Sequence, residues 1–231
     1  MLIPLNALND NYIWLYQSHQ RGALIIDPAE SEPVLEYLSA HSMTPAAILI
    51  THNHGDHTGG IAGIVARYPA LEVYAPREVA GDFHVVVPDS PLSIAGYTVE
   101  VLPTFGHTQG HVSYVIEGHL FCGDSLFSAG CGRVFTGDYA AMFAGLKRIN
   151  QLPADTIVCP AHEYTRANLA FAQAKCPSAA VDEAMARVEA LRKAGKPSLP
   201  TTLKAEREIN PFLQAQTLEE FTRLRQAKDN F

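Results

Sequence analysis

Apolar and polar positions alternate in short blocks along the first two thirds of the chain. Tyr12–Tyr16 and Ala23–Asp27 read as strands, and Ala47–Thr51 as a fully buried one. Glu72–Tyr74, Thr98–Leu102, Val112–Ile116 and Leu120–Cys122 are further strand candidates, rich in β-branched and aromatic residues. A last short strand is expected at Thr156–Cys159. Helices fall between them. One starts near Ser31, where Ser31, Glu32 and Pro33 supply a cap, an early acid and an early proline. Gly60–Arg67 is a second, and Tyr139–Asn150, capped by Asp138, is a third.

Beyond about residue 163 the period changes. Val181, Ala184, Val188 and Leu191 recur at helical spacing and no strand pattern remains. Lys193 to Pro200 reads as a connector. Thr217 and Glu220 form a capping box that opens a final helix, with Leu218, Phe221 and Leu224 on its inner side. The pattern predicts a mixed α/β domain over 1–164 followed by a small helical one over 165–231.

Composition adds limits. Hydrophobic residues make up 47% of the 231 and charged residues 18%, the balance of a soluble globular protein. No apolar run is long enough for a membrane span, and the N-terminus has neither the basic nor the apolar region of a signal peptide. A net charge of −7 argues against nucleic acid or an anionic membrane as partner. Cys122, Cys131, Cys159 and Cys176 are widely spaced, which excludes a disulfide framework or a cysteine zinc knuckle and points to the cytoplasm. Nothing in the sequence demands more than a monomer.

The chemistry concentrates in Thr51-His52-Asn53-His54-Gly55-Asp56-His57-Thr58-Gly59-Gly60, an H-x-H-x-D-H pattern between a buried strand and a glycine-opened helix. Side chains two apart in such a turn converge, so His52 and His54 serve one metal, and Asp56 with His57 serve a second. One segment cannot complete two sites, so further ligands should stand at later strand ends. Gly106-His107-Thr108, Gly123-Asp124 and Ala161-His162 do so. Metal 1 then takes His52, His54 and His107, and metal 2 takes Asp56, His57 and His162, with Asp124 placed to bridge. Zn²⁺, Fe²⁺ and Mn²⁺ all fit this donor set, with Zn²⁺ the first expectation.

H-x-H-x-D-H, then G-H-T, G-D and a late His, in that order, resembles the signature of the metallo-β-lactamase superfamily. That resemblance implies an αβ/βα sandwich, here with a small C-terminal α-helical domain. Asp10-Asn11-Tyr12, Phe127-Ser128-Ala129-Gly130-Cys131-Gly132-Arg133, His162-Glu163-Tyr164-Thr165, Asn210-Pro211-Phe212 and the tail from Arg225 to Phe231 make the chain similar, over almost its whole length, to the glyoxalase II family. The family implies hydrolysis of S-(2-hydroxyacyl)glutathione thioesters such as S-D-lactoylglutathione, giving D-lactate and glutathione in methylglyoxal detoxification. It further implies a metal-bridging hydroxide as the nucleophile, with Asp56 and Asp124 in the catalytic centre.

The resemblance also implies that Arg225 and Lys228 grip a glutathione carboxylate, with Arg133 and Tyr164 nearby. Read without it, Arg225 simply pairs with Asp229 on a solvated helix. Two departures stand out: Phe135 where many members carry tyrosine, and Ala227 and Asn230 where some carry further basic residues. Asp27 is either an acceptor for a ligand histidine or an ordinary turn residue before Pro28. His111 is expected to be structural, and His19, His41, His84 and His119 to be bystanders.

Three other readings compete. A persulfide dioxygenase with a single iron shares H-x-H-x-D-H but lacks the helical tail. A nuclease of the superfamily would need a basic patch. A non-catalytic binding module would be expected to have lost ligands, yet all seven positions are occupied. Serine-hydrolase and nucleotide-binding motifs are absent.

Overall fold

A computed structural model describes residues 1–231, which divide into two compact units: Met1–Pro103 with Gly110–Glu117, and Thr104–Gln109 with Gly118–Phe231.

In the first unit, strands β1 (Leu2–Ala7), β2 (Asn11–Tyr16), β3 (Ala23–Ile26), β4 (Pro45–Leu49), β5 (Glu72–Ala75) and β6 (His84–Val85) form one sheet in chain order. The first three pair antiparallel and the rest parallel. Every residue of β2 and β3 is buried, as strands covered on both faces should be. One face presents Ile13, Leu15, Ile25, Ile48 and Ile50 to helix α1 (Glu32–Ala40) through Val34 and Leu38, and to α3 (Ile61–Arg67) through Ile61 and Ile64. Truncating such a side chain costs about 2–5 kcal/mol. Towards the other face lie β7 (Leu92–Ile94), β8 (Tyr97–Pro103) and β9 (Val112–Ile116), an antiparallel meander. There Tyr97 meets the ring of Tyr16, and the Tyr114 hydroxyl donates to Ile50 O at 2.6 Å.

Several expectations shift at their edges. Ser31 occupies the N-cap of α1 but makes no side-chain cap bond, because its backbone is already helical at φ −83°, ψ −36°. The segment Gly55–Thr58 adds a short helix, α2. Strand β1 escapes the sequence pattern, its proline and asparagine breaking the apolar run.

In the second unit, β10 (His119–Gly123) pairs parallel with β13 (Ile157–Pro160), which pairs antiparallel with the two-residue β14 (Thr201–Thr202). Strand β14 corrects the expectation that the tail holds no strand. Strands β11 (Leu126–Phe127) and β12 (Gly130–Cys131) make a small hairpin. Helix α4 (Tyr139–Ile149) starts where Asp138 accepts from Ala141 N at 2.8 Å, as anticipated. Helices α5 (Thr165–Lys175), α6 (Ala179–Lys193), α7 (Leu203–Ile209), α8 (Pro211–Gln214) and α9 (Leu218–Asp229) complete the unit. Leu169, Ala172, Val181, Ala184, Val188 and Ile209 share a core with Ala129, and Phe171, Phe212 and Phe221 continue it with ring contacts.

At α9 the expected box is half made. Thr217 accepts from Glu220 N, but the Glu220 carboxylate turns back to Gln216 N rather than to Thr217. Phe221 and Leu224 face inward, whereas Leu218 is exposed and Arg225 takes a place on the inner face.

Candidate metal centre

Four of the seven expected ligands lie in the first unit, on the turn after β4. Its geometry is organised by Asp27, which follows β3 at φ +50°. One Asp27 oxygen accepts from Thr51 N at 2.8 Å, and the other accepts from the Thr51 hydroxyl at 2.7 Å and from His57 Nδ1 at 3.0 Å. A carboxylate carrying three such bonds is an orienting acceptor. It lies close enough to His52 and His57 to form a potential ligand group with them, but its oxygens are already committed. Of the two alternatives for Asp27, its bond to His57 Nδ1 favours the histidine acceptor over the ordinary turn residue.

These bonds also fix where the protons lie. The Thr51 hydroxyl spends its hydrogen on Asp27, so it accepts from His52 Nδ1 at 3.0 Å. His52 Nε2 then presents a lone pair 3.0 Å from His54 Nδ1. Two ring nitrogens so close are reconciled by one shared proton or by one cation. The donor chemistry around them favours the cation: His57, with Nδ1 tied to Asp27, turns Nε2 toward Asp56 Oδ2 at 3.6 Å. Asn11 Nδ2 holds Asp56 by that same oxygen at 3.1 Å and by its backbone oxygen at 3.2 Å. Buried His111 stacks on His52, the structural role expected of it. Glycine is required where the turn enters α3: a Cβ on Gly60 would stand 2.5 Å from the Glu30 backbone.

The other three ligands lie in the second unit. Asp124 and His162 follow the ends of the paired parallel strands β10 and β13, which brings them together. His162 Nε2 is 3.3 Å from Asp124 Oδ1, while His107 Nε2 is 3.4 Å from Asp124 Oδ2. The carboxylate thus turns one oxygen to each imidazole, the arrangement a bridging ligand needs. His107 Nδ1 donates to Arg133 O at 2.8 Å, which turns Nε2 to Asp124. All three residues are buried. His52, His57 and His107 thus each have Nδ1 anchored and Nε2 turned to a carboxylate or a second ring, and with His54, Asp56, Asp124 and His162 they make a donor set that fits divalent metal.

The proposed substrate residues are also in the second unit. Tyr164 stacks on His162 with 4.7 Å between centroids and is partly exposed. Arg133 reaches Asp229 Oδ1 at 3.2 Å and lies over the exposed ring of Phe135. Arg225 also meets Asp229 Oδ1, at 3.1 Å, so the i,i+4 pair forms. Its guanidinium is nevertheless buried, donating to Cys131 O at 2.6 Å and covering Phe212, so the helix face is not a solvated one. Lys228 donates to Ala167 O and lies against Phe171 and Phe231; burial, and then Arg225, lower the pKa of its ammonium. Residue types and spacing gave no role to Thr51, Asn11 or the Arg133 carbonyl as orienting groups; only the position of Thr51 before the first histidine hinted at one.

Comparison with known proteins agrees with this geometry. The Metallo-beta-lactamase superfamily matches residues 8–85 and 86–162, and Hydroxyacylglutathione hydrolase C-terminus matches residues 163–231. Among solved structures, a B3 metallo-β-lactamase, BLEG-1, superposes with a TM-score of 0.69 at 25% identity, covering 93% of this chain and 99% of that one. The ETHE1 protein from Myxococcus xanthus superposes with a TM-score of 0.74 at 23% identity, covering 98% and 90%, which speaks to the fold alone. The fold is therefore the metallo-β-lactamase fold, with a helical C-terminal region.

Curated relatives narrow the class. The Hydroxyacylglutathione hydrolase of Glaesserella parasuis is 48% identical over 100% of this chain and 99% of its own. That of Haemophilus ducreyi is 50% identical with the same coverage. The chain belongs to the hydroxyacylglutathione hydrolase family, also called glyoxalase II.

Proposed function

We propose that this chain hydrolyses S-(2-hydroxyacyl)glutathione thioesters, S-D-lactoylglutathione first among them, to a 2-hydroxy acid and glutathione. In this reading His52, His54 and His107 hold one divalent ion, Asp56, His57 and His162 hold a second, and Asp124 joins both. Zinc is the first candidate, with iron or manganese as substitutes. Bound there, the ions would supply Lewis acidity toward water and the thioester carbonyl, making a nucleophile available near neutral pH. The observation that carries the reading is the anchoring of His57 Nδ1 on Asp27 and of His107 Nδ1 on Arg133 O, with each Nε2 turned toward a candidate carboxylate ligand.

The chain's own side chains orient and bind. Asn11 steadies Asp56 through its Oδ2 and its backbone oxygen. Arg225 and Lys228 supply positive charge for a glutathione carboxylate, Arg133 stands near the cysteinyl backbone of the substrate, and Tyr164 offers its ring and hydroxyl. The departing thiolate has a parent thiol of pKa about 8.5 in the cysteine reference case, so it leaves without a dedicated general acid. Residues 165–231 act as the glutathione-binding part. The product fits the second step of methylglyoxal detoxification. All four cysteines are free, which supports a cytoplasmic setting, and no helix is long and apolar enough to cross a membrane. Because one chain supplies all seven ligands, a monomer suffices.

The test is S-D-lactoylglutathione hydrolysis, followed by loss of thioester absorbance on protein of known metal content. Turnover that a chelator abolishes and divalent metal restores is expected. A metal-loaded protein that leaves this thioester intact would refute the proposal.

A further inference from the structure

The hairpin from Phe127 to Cys131, with the two residues that follow it, is held almost group by group from the helical region of its own unit. Asn210 Nδ2 donates to Phe127 O and to Gly130 O, each at 3.0 Å. Asn168 Nδ2 donates to Ser128 O at 3.1 Å, and Arg225 Nη1 to Cys131 O at 2.6 Å. Glu206 accepts from the Ser128 hydroxyl at 2.7 Å and from Ala129 N at 2.8 Å. Two residues beyond Cys131, Arg133 O accepts from His107 Nδ1. Between them Gly132 passes so close that an added Cβ would stand 1.9 Å from Asp124 O and 2.9 Å from His107 Nδ1. A shift of the hairpin is therefore a shift of both neighbours.

Glu206 is fully buried, and neither metal binding nor hydrolysis makes direct use of it. Burial raises its pKa, while the bonds from Ser128 and Ala129 pull the other way. All of its partners named here are donors, including Asn210 Nδ2 at 3.3 Å, so an acceptor-only carboxylate matches them, whereas an amide keeps one acceptor and requires the Ser128 hydroxyl to turn and accept. Ala129 at φ +53° is a left-handed alanine, a conformation that persists only where its surroundings hold it.

We propose that Glu206 and Asn210 are positioning residues for His107: from α7 and from the cap joining α7 to α8 they clamp the hairpin, which keeps Arg133 O on Nδ1 and Nε2 aimed at the metal. The inference rests on His107 being a ligand. It gives the helical region a part in metal retention, distinct from any hold on glutathione.

The experiment compares Glu206→Gln, Asn210→Ala, His107→Ala and a control, Val188→Ala, which loosens the helical core without touching the hairpin's polar bonds. Divalent ions per chain are counted after dialysis against graded chelator. Thermal unfolding of the stripped protein is followed by circular dichroism. Glu206→Gln and Asn210→Ala should release metal at roughly tenfold lower chelator concentration and lose about tenfold in kcat, with KM nearly unchanged. Val188→Ala should lower stability while keeping the wild-type chelator curve. Ser128→Ala, which removes one bond to Glu206, should show a smaller shift of the same kind and serves if Glu206→Gln does not fold. Clamp variants that lose stability yet keep wild-type metal retention overturn the inference. If His107→Ala itself keeps both ions, the ligand assignment fails as well, so the two failures are distinguishable.

Discussion

The two groups of proposed ligands are built by opposite means. In the first unit, His52, His54, Asp56 and His57 are neighbours in sequence, and the groups that orient them are side chains: Asp27, Thr51 and Asn11. In the second, His107, Asp124 and His162 are brought together by two parallel strand ends and a loop, and His107 is oriented by a main-chain carbonyl. A local turn needs few supports because its own backbone sets the spacing. Ligands from three separate segments need a frame, and in this chain the frame includes a hairpin held by buried polar residues of the helical region.

The largest effect should come from Asp124, the carboxylate that faces two imidazoles. Asp124→Asn should lose metal and cut kcat by about 1,000-fold or more, read by metal counting and steady-state kinetics. Near-normal activity would break the dinuclear assignment. Next comes the first unit's hub. Asp27→Ala should weaken metal retention and activity by about 10- to 100-fold, read by the same two measurements. If it matched Asp124→Asn instead, Asp27 would be a ligand rather than an orienting acceptor.

Smaller again is the change at Lys228. Lys228→Ala should raise KM for the glutathione thioester roughly tenfold with little change in kcat. Arg225→Ala should do the same and also lower stability, because its guanidinium is buried on Cys131 O. An unchanged KM in both would leave the pair as packing and frame alone.

The smallest effect concerns stability in acid. Hydrogen bonding from Ser18 first, then from Tyr16 and Arg21, lowers the Glu117 pKa from 4.5 to about 2. A depressed carboxylate stabilises the fold above its unfolded pKa, and that stability is lost as pH falls from 4.5 through about 2. Glu117 is more than a third exposed on its ion-pair side, so solvent screening keeps the contribution small. Glu117→Gln should flatten the acid limb of thermal stability measured over that window; a limb identical to wild type would discard the assignment.

How much the sequence disclosed follows the same division. The H-x-H-x-D-H turn was legible because its candidate ligands share one segment, and the later candidates because each follows a strand-like run. The Asp138 and Thr217 caps were legible because capping is local. What stayed hidden is contact over long separations or through the main chain. Asn11 reaches Asp56 across the sheet, Arg133 acts through its carbonyl whatever its side chain, and Glu206 reads as one more surface acid until folding buries it. Strand β14 was hidden for another reason: two threonines carry no periodicity and pair only because β13 is there to receive them.

The central claim is that seven side chains hold two ions that act on one thioester. It is tested most directly by counting divalent metal per chain in the batch whose S-D-lactoylglutathione turnover is measured, while metal is titrated into stripped protein. The account predicts close to two ions per chain, with activity saturating as the second is bound. Full activity at one ion per chain, with no further binding, would contradict it.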